Sequence, residues 1–130
     1  MRILVDTHVL IWSQMQVGSL SERARALLED VENDVLFSAA SIWEIAIKTQ
    51  LKRIEFLVAP ERIAAAAVAG GFVELAVRAN AAARVARLPL YHRDPFDRLL
   101  MAQAIEEPAH LLTADSMLAQ YSDLVTLIEP

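Results

Sequence analysis

The sequence has 130 residues, of which 55% are apolar, enough for one well-packed core and more than a soluble monomer ordinarily carries. That surplus points to an oligomer or a covered partner surface. A net charge of −5 excludes a generally basic wrapper of nucleic acid, while leaving room for an enzyme that grips it locally through cations. Cysteine is absent, which removes disulfides, thiolate metal sites and thiol nucleophiles and makes a cytoplasmic setting the expectation. No apolar run approaches the ~20 residues of a membrane span, and Met1 leads straight into a strand pattern, so neither membrane segment nor signal peptide is expected.

Residues 2–5 form a short β-branched apolar run with no polar face, the pattern of a central parallel strand, and it ends abruptly at Asp6-Thr7. Residues 8–14 read as a helix folded back on the sheet, which leaves Asp6 at the carboxyl end of a strand, where open α/β sheets place their ligands. Ser19-Leu20-Ser21-Glu22 has the spacing of a capping box and predicts a helix to about residue 32. A second strand over 34–38 leads into a long helix over 39–53. Inside that helix Glu44 lies between Trp43 and Ile45, where a buried carboxylate must be paired or coordinated. Lys48, four residues on, offers a plain ion pair. Trp12 and Trp43 are expected in the core more than at an interface.

Pro60 opens an Ala-rich helix to about residue 68, Gly70-Gly71 breaks it, and a strand over 72–75 and a helix over 77–88 follow. Asp94 then suits an N-cap and Pro95 the first helical position, which puts Asp97 in the first turn of an apolar helix. Glu106-Glu107-Pro108 ends that helix, 110–113 is a further strand, and Asp115 again stands just past its carboxyl end. A short helix over 117–121 and a strand over 124–128 complete the chain. Strands alternating with helices predict an α/β fold with a mainly parallel sheet, and no linker or repeat divides residues 1–130 from being one domain.

Asp6, Glu44, Asp97 and Asp115 stand out by position. If the strands before Asp6 and Asp115 are neighbours, the right-handed crossover rule brings both to one sheet edge. Carboxylates converging there repel and hold their protons unless cations are bound, which favours hard divalent ions with oxygen ligands and, with them, phosphodiester hydrolysis. Basic residues crowd nearby, with Lys48, Arg93 and Arg98 the candidate substrate contacts, although capping and solubilising roles explain such arginines equally well. His8, His92 and His110 share no ligand spacing, and His8 is expected near the site as a packing or hydrogen-bonding residue. A phosphoacceptor receiver would need adjacent acids after the first strand and a Lys after the last, and neither is present. A haloacid-type phosphatase would need Asp-x-Asp after the first strand, where this chain has Asp6-Thr7-His8.

Four runs in order, Leu4-Val5-Asp6-Thr7-His8, Ser41-Ile42-Trp43-Glu44-Ile45, His92-Arg93-Asp94-Pro95-Phe96-Asp97-Arg98 with Ala102-Gln103-Ala104, and Leu112-Thr113-Ala114-Asp115, resemble the PIN-domain ribonucleases. Within that family the chain is similar to the VapC-type toxins of type II toxin–antitoxin systems. The resemblance spans essentially the whole chain and implies a PIN-like α/β/α fold. It implies Asp6, Glu44, Asp97 and Asp115 as an acidic quartet binding Mg²⁺ or Mn²⁺, with Thr7, Thr113, Ser116 and Asp94 supporting it. It further implies an RNA substrate, a VapB-type antitoxin and a homodimer. A PIN nuclease with a housekeeping role in RNA processing would carry much the same sequence, whereas a non-catalytic module of the same shape would be expected to lack one or more of the four acids, all of which are present.

Overall fold

A computed structural model describes residues 1–53 and 57–129. Five strands form one sheet in the order β3-β2-β1-β4-β5, with every pairing parallel. They are β1 (Arg2–Val5), β2 (Asp34–Ser38), β3 (Val73–Leu75), β4 (His110–Thr113) and β5 (Val125–Leu127). The helices are α1 (Thr7–Met15), α2 (Glu22–Glu29), α3 (Ala39–Gln50), α4 (Pro60–Ala69), α5 (Ala79–Arg84) and α6 (Pro95–Glu106), with 3-10 turns at Val17–Ser19, Val85–Arg87 and Ser116–Gln120.

The period-2 alternation of the strands divides the core into two layers. Ile3, Val5, Val35, Phe37 and Leu112 face one layer, filled by Val9 and Leu10 of α1, Ile45 of α3 and Ile63 of α4. Leu4, Leu36 and Leu111 face the other, filled by Leu100, Met101 and Ala104 of α6 and by Leu118. Helices on both faces make the α/β/α sandwich expected from the alternation of elements. Among the described residues no helix is long and apolar enough to cross a membrane.

Local chemistry explains where the elements begin and end, including where the sequence pattern misleads. The second helix is capped by Ser21, whose Oγ accepts from Ala24 N–H at 3.1 Å, and not by Ser19. Ser19 closes a 3-10 turn, and Leu20 is extended and buried, so the chain enters the core before α2 can start. That helix stops at Glu29 and not near residue 32, because Asp30 turns out of helical geometry and its side chain accepts Glu32 N–H at 2.9 Å. Similarly, α3 stops at Gln50, three residues before its expected end, in a Schellman motif. Lys52 takes φ +58° there, and Arg53 N–H reaches back to the Lys48 carbonyl at 3.0 Å. The helix expected over 77–88 is shorter, tightening into a 3-10 turn after Arg84, and the segment expected as a helix over 117–121 is a 3-10 turn. Trp43 is 60% exposed, contrary to the expectation of a core residue, and meets Phe96 edge-on with ring centroids 5.3 Å apart.

The chain order of the strands locates the site. From β1 the connections run outward to β2 and β3, then return to the other side of β1 to build β4 and β5. The direction reverses between β1 and β4, and beyond the carboxyl ends of two such strands a crevice opens.

Candidate active site

Asp6 follows β1 directly and Asp115 lies two residues past the end of β4, so both stand at the mouth of this crevice. Each is also a cap. The Asp6 Oδ1 accepts Val9 N–H at 2.8 Å at the start of α1, and the Asp115 Oδ1 accepts Met117 N–H at 3.0 Å. The capping use of Asp6 and Asp115 fixes their rotamers and leaves the second oxygen of each for other work. Asp94 caps α6 as expected, accepting from Phe96 and Asp97 N–H at 2.8 and 3.3 Å. That sets Asp97 in the first turn, facing the crevice. Asp6, His8, Trp12, His92, Asp94, Asp97, Ala114 and Asp115 line an open cleft of about 430 Å³.

Supporting hydroxyls are in place for two of the acids. Thr113 donates to the Asp6 Oδ2 at 2.5 Å and accepts Asp115 N–H at 3.0 Å, so one side chain couples the ends of both strands. Thr7 donates to Glu44 Oε1, 2.6 Å away, and lies 2.9 Å from the Ser41 hydroxyl. Glu44 is 3% exposed, and its Oε2 takes Lys48 Nζ at 2.7 Å, the i,i+4 pair that the spacing allowed. A carboxylate oxygen has two lone pairs, so these contacts leave Glu44 acceptor capacity on both oxygens.

Electrostatics strain the cleft. Burial pushes the Asp6 carboxyl above its ordinary value, against the hydrogen bonds from Thr113 and Val9 and the nearby His8, and the Glu44 charge adds to the rise. Asp97 is pushed up to about 7, first by burial and then by the charges of Asp94, Asp6 and Glu44, with His92 acting the other way. Negative charges held together in a partly buried site are stabilised by a cation.

His92 is the residue that the sequence pattern did not single out. Its Nε2 lies 2.6 Å from Asp115 Oδ2 and 3.2 Å from Asp97 Oδ2, and one atom from each of the three residues falls within 4.8 Å of the others. The clue was the two-residue spacing to Asp94, whose N–H lies 3.0 Å from His92 Nδ1. His8 borders the cleft, as expected, stacked obliquely on Trp12 with centroids 5.7 Å apart.

Two other assignments change. Arg98 is no substrate contact, because it is 8% exposed and its guanidinium donates to the carbonyls of Val85, Leu88 and Pro89 and to the Tyr121 hydroxyl. Ser116 lines a neighbouring hollow with Ser21 and Arg23, outside the residues that line the acidic cleft. Arg93 is exposed and falls in the chain between the cleft-lining His92 and Asp94, while Arg84 bridges α5 to α6 through Glu106 at 2.7 Å.

The PIN domain model matches residues 3–124, nearly the full length. The chain belongs to the PIN-domain family. Solved structures similar to this PIN domain include VapBC2 from Rickettsia felis bound to a DNA fragment from their promoter. That pair superposes with TM-score 0.68 at 14% identity, covering 99% of this chain and 98% of the other. FitAcB from Neisseria gonorrhoeae has TM-score 0.65 at 23% identity, covering 98% and 97%. FitAB bound to an IR36 DNA fragment has TM-score 0.63 at 24% identity, covering 98% and 94%. No curated relative matches this PIN domain in sequence.

Proposed function

We propose that this PIN domain, acting as one domain over residues 1–130, is a metal-dependent endoribonuclease and the toxin of a VapBC-type toxin–antitoxin module. In this reading it hydrolyses RNA phosphodiester bonds and so inhibits translation and growth in the cytoplasm. The observation that carries the reading is the cleft at the β1–β4 switch point, where Asp6, Asp97 and Asp115 converge and Asp97 is held near neutrality by burial and by its acidic neighbours. The donor set fits a hard divalent cation, Mg²⁺ or Mn²⁺, since it offers carboxylate oxygens whose repulsion the ion relieves. Asp6, Asp97 and Asp115 would hold it, with Glu44 as the fourth carboxylate. Such an ion supplies a bound water of lowered pKa and neutralises charge on the phosphate under attack.

The chain's own residues orient that chemistry. Thr113 and the α1 cap fix both oxygens of Asp6, and Thr7 and Lys48 fix Glu44, so few side-chain rotations remain to be frozen on binding. Exposed Arg93, next in the chain to the cleft-lining His92 and Asp94, is a basic side chain available to an RNA phosphate. Lys48 stays a second candidate through its position beside Glu44.

Partners follow from two supports. Neighbours of nearly the same length include VapBC2 and FitAB, which favours a VapB-type antitoxin for this chain. The apolar hollow of exposed Trp43 and Ala82 with half-buried Phe96, Leu99 and Val85 favours a second copy of the chain in a homodimer.

Incubating purified protein, free of any partner, with RNA tests the activity. Cleavage is expected with Mg²⁺ or Mn²⁺, is abolished by EDTA, and falls by a factor on the order of 10³ in Asp6→Asn, the size of losing several kcal/mol of charge stabilisation. Metal-independent cleavage, or full activity in Asp6→Asn, overturns the reading.

A further inference from the structure

We propose that His92 is a positioning residue whose Nε2–H clamps Asp115 and Asp97 for cation binding without ligating the cation. The inference rests on the reading of the cleft as a cation site and adds to it a division of labour among the residues that meet there.

The ring's two nitrogens have different partners, and these decide where the proton sits. Nδ1 lies 3.0 Å from Asp94 N–H, which can only donate, so Nδ1 presents its lone pair. The ring proton is then on Nε2, aimed at Asp115 Oδ2 at 2.6 Å and shared with Asp97 Oδ2 at 3.2 Å. A cation on Nε2 would need the lone pair there and the proton on Nδ1. Two N–H donors would then face each other at the Asp94 contact, with no acceptor between them. Asp94 has little freedom to turn away, because its side chain caps α6 through Phe96 and Asp97 N–H.

The ring is held from behind as well. His92 N–H donates to the Tyr121 hydroxyl at 2.9 Å, and Arg98 donates to that same hydroxyl at 3.2 Å and to the Pro89 carbonyl at 2.9 Å. The buried guanidinium thus anchors the loop that carries His92. Asp115, with Oδ1 on Met117 N–H and Oδ2 on His92, is fixed at both oxygens. His92 lets two like charges sit close together by placing an N–H between them, and outer partners of this kind typically change metal affinity 10–100-fold when lost.

Long-range ¹H–¹⁵N correlation spectra of the wild-type protein read the tautomer directly, without and with Mg²⁺. The expected result is a protonated Nε2 and a bare Nδ1 in both spectra. A proton on Nδ1, or loss of the Nε2 proton on adding Mg²⁺, overturns the proposal. Calorimetric titration with Mn²⁺ supplies the second test, with thermal unfolding as the folding control. His92→Ala is expected to bind Mn²⁺ 10–100-fold more weakly, and His92→Gln, with an amide N–H in place of Nε2–H, to recover most of that affinity. A folded His92→Gln as weak as His92→Ala, or a His92→Ala with unchanged affinity, overturns it. If His92→Ala does not fold, the wild-type spectra decide. A protein that passes both tests and cleaves no RNA leaves this inference standing and removes the nuclease reading instead.

Discussion

Replacing Asp97 by Asn is expected to stabilise the metal-free protein at pH 8 while removing the proposed nuclease activity. The folded-state pKa of Asp97 is about 7, against an ordinary value of 3.8. An acid whose pKa is higher in the folded chain binds its proton more tightly there, so protonation favours folding. Stability from this group is therefore full below about pH 4, falls as pH rises toward 7, and is constant above. A rise of about three pH units corresponds to roughly 4 kcal/mol at the upper end of that window. Asn keeps the shape and brings no charge, so in EDTA at pH 8 its melting temperature should exceed that of the wild type by about 15 °C. Near pH 4 the two should melt together. Mn²⁺ should raise the wild-type melting temperature and leave the variant unmoved. A variant less stable than the wild type at pH 8 in EDTA would contradict the electrostatic account.

Arg98→Ala is expected to be among the most destabilising single changes in the chain. The guanidinium lies under the surface and donates to three main-chain carbonyls and one hydroxyl. Truncation leaves these acceptors without their donor and empties the space of a long side chain, at a cost of about 3 kcal/mol. Chemical denaturation should show that loss as a lower midpoint with an unchanged slope. Arg98→Lys should recover less than half of it, because one ammonium cannot span acceptors that the planar fork reaches together. Tyr121→Phe, which removes only the shared hydroxyl, should cost about 1 kcal/mol. An Arg98→Ala protein as stable as the wild type, with weakened RNA binding, would return Arg98 to the substrate-contact role that its sequence neighbours suggested.

The residues whose places were legible in the sequence are those governed by local rules. Short apolar runs marked β1 and β4, and their neighbouring places in the sheet bring Asp6 and Asp115 to the same edge. Asp94-Pro95 marked the start of α6 and thereby oriented Asp97. What escaped depends on contacts between distant segments. Arg98 looks like one more cation in a basic stretch until α6 packs against the 3-10 turn at Val85–Arg87 and the Leu88 and Pro89 carbonyls come within reach. His92 gains its meaning only when β4 delivers Asp115, 23 positions later, to the same point. Ser19 failed for another reason, since it has the capping-box spacing to Glu22 but closes a 3-10 turn, and the chain runs extended through buried Leu20 before Ser21 caps α2.

The central claim is that the acidic cleft is a divalent-cation site made by carboxylates from β1, β4 and α6. Calorimetric titration of the purified wild-type protein with Mn²⁺ at pH 7.5 tests it most directly, beside Asp6→Asn and Asp97→Asn. Saturable binding in the wild type that Mg²⁺ competes away, and its loss in both folded variants, is the expected result. Wild-type protein that binds no Mn²⁺, or variants that bind it as tightly as the wild type, would contradict the claim.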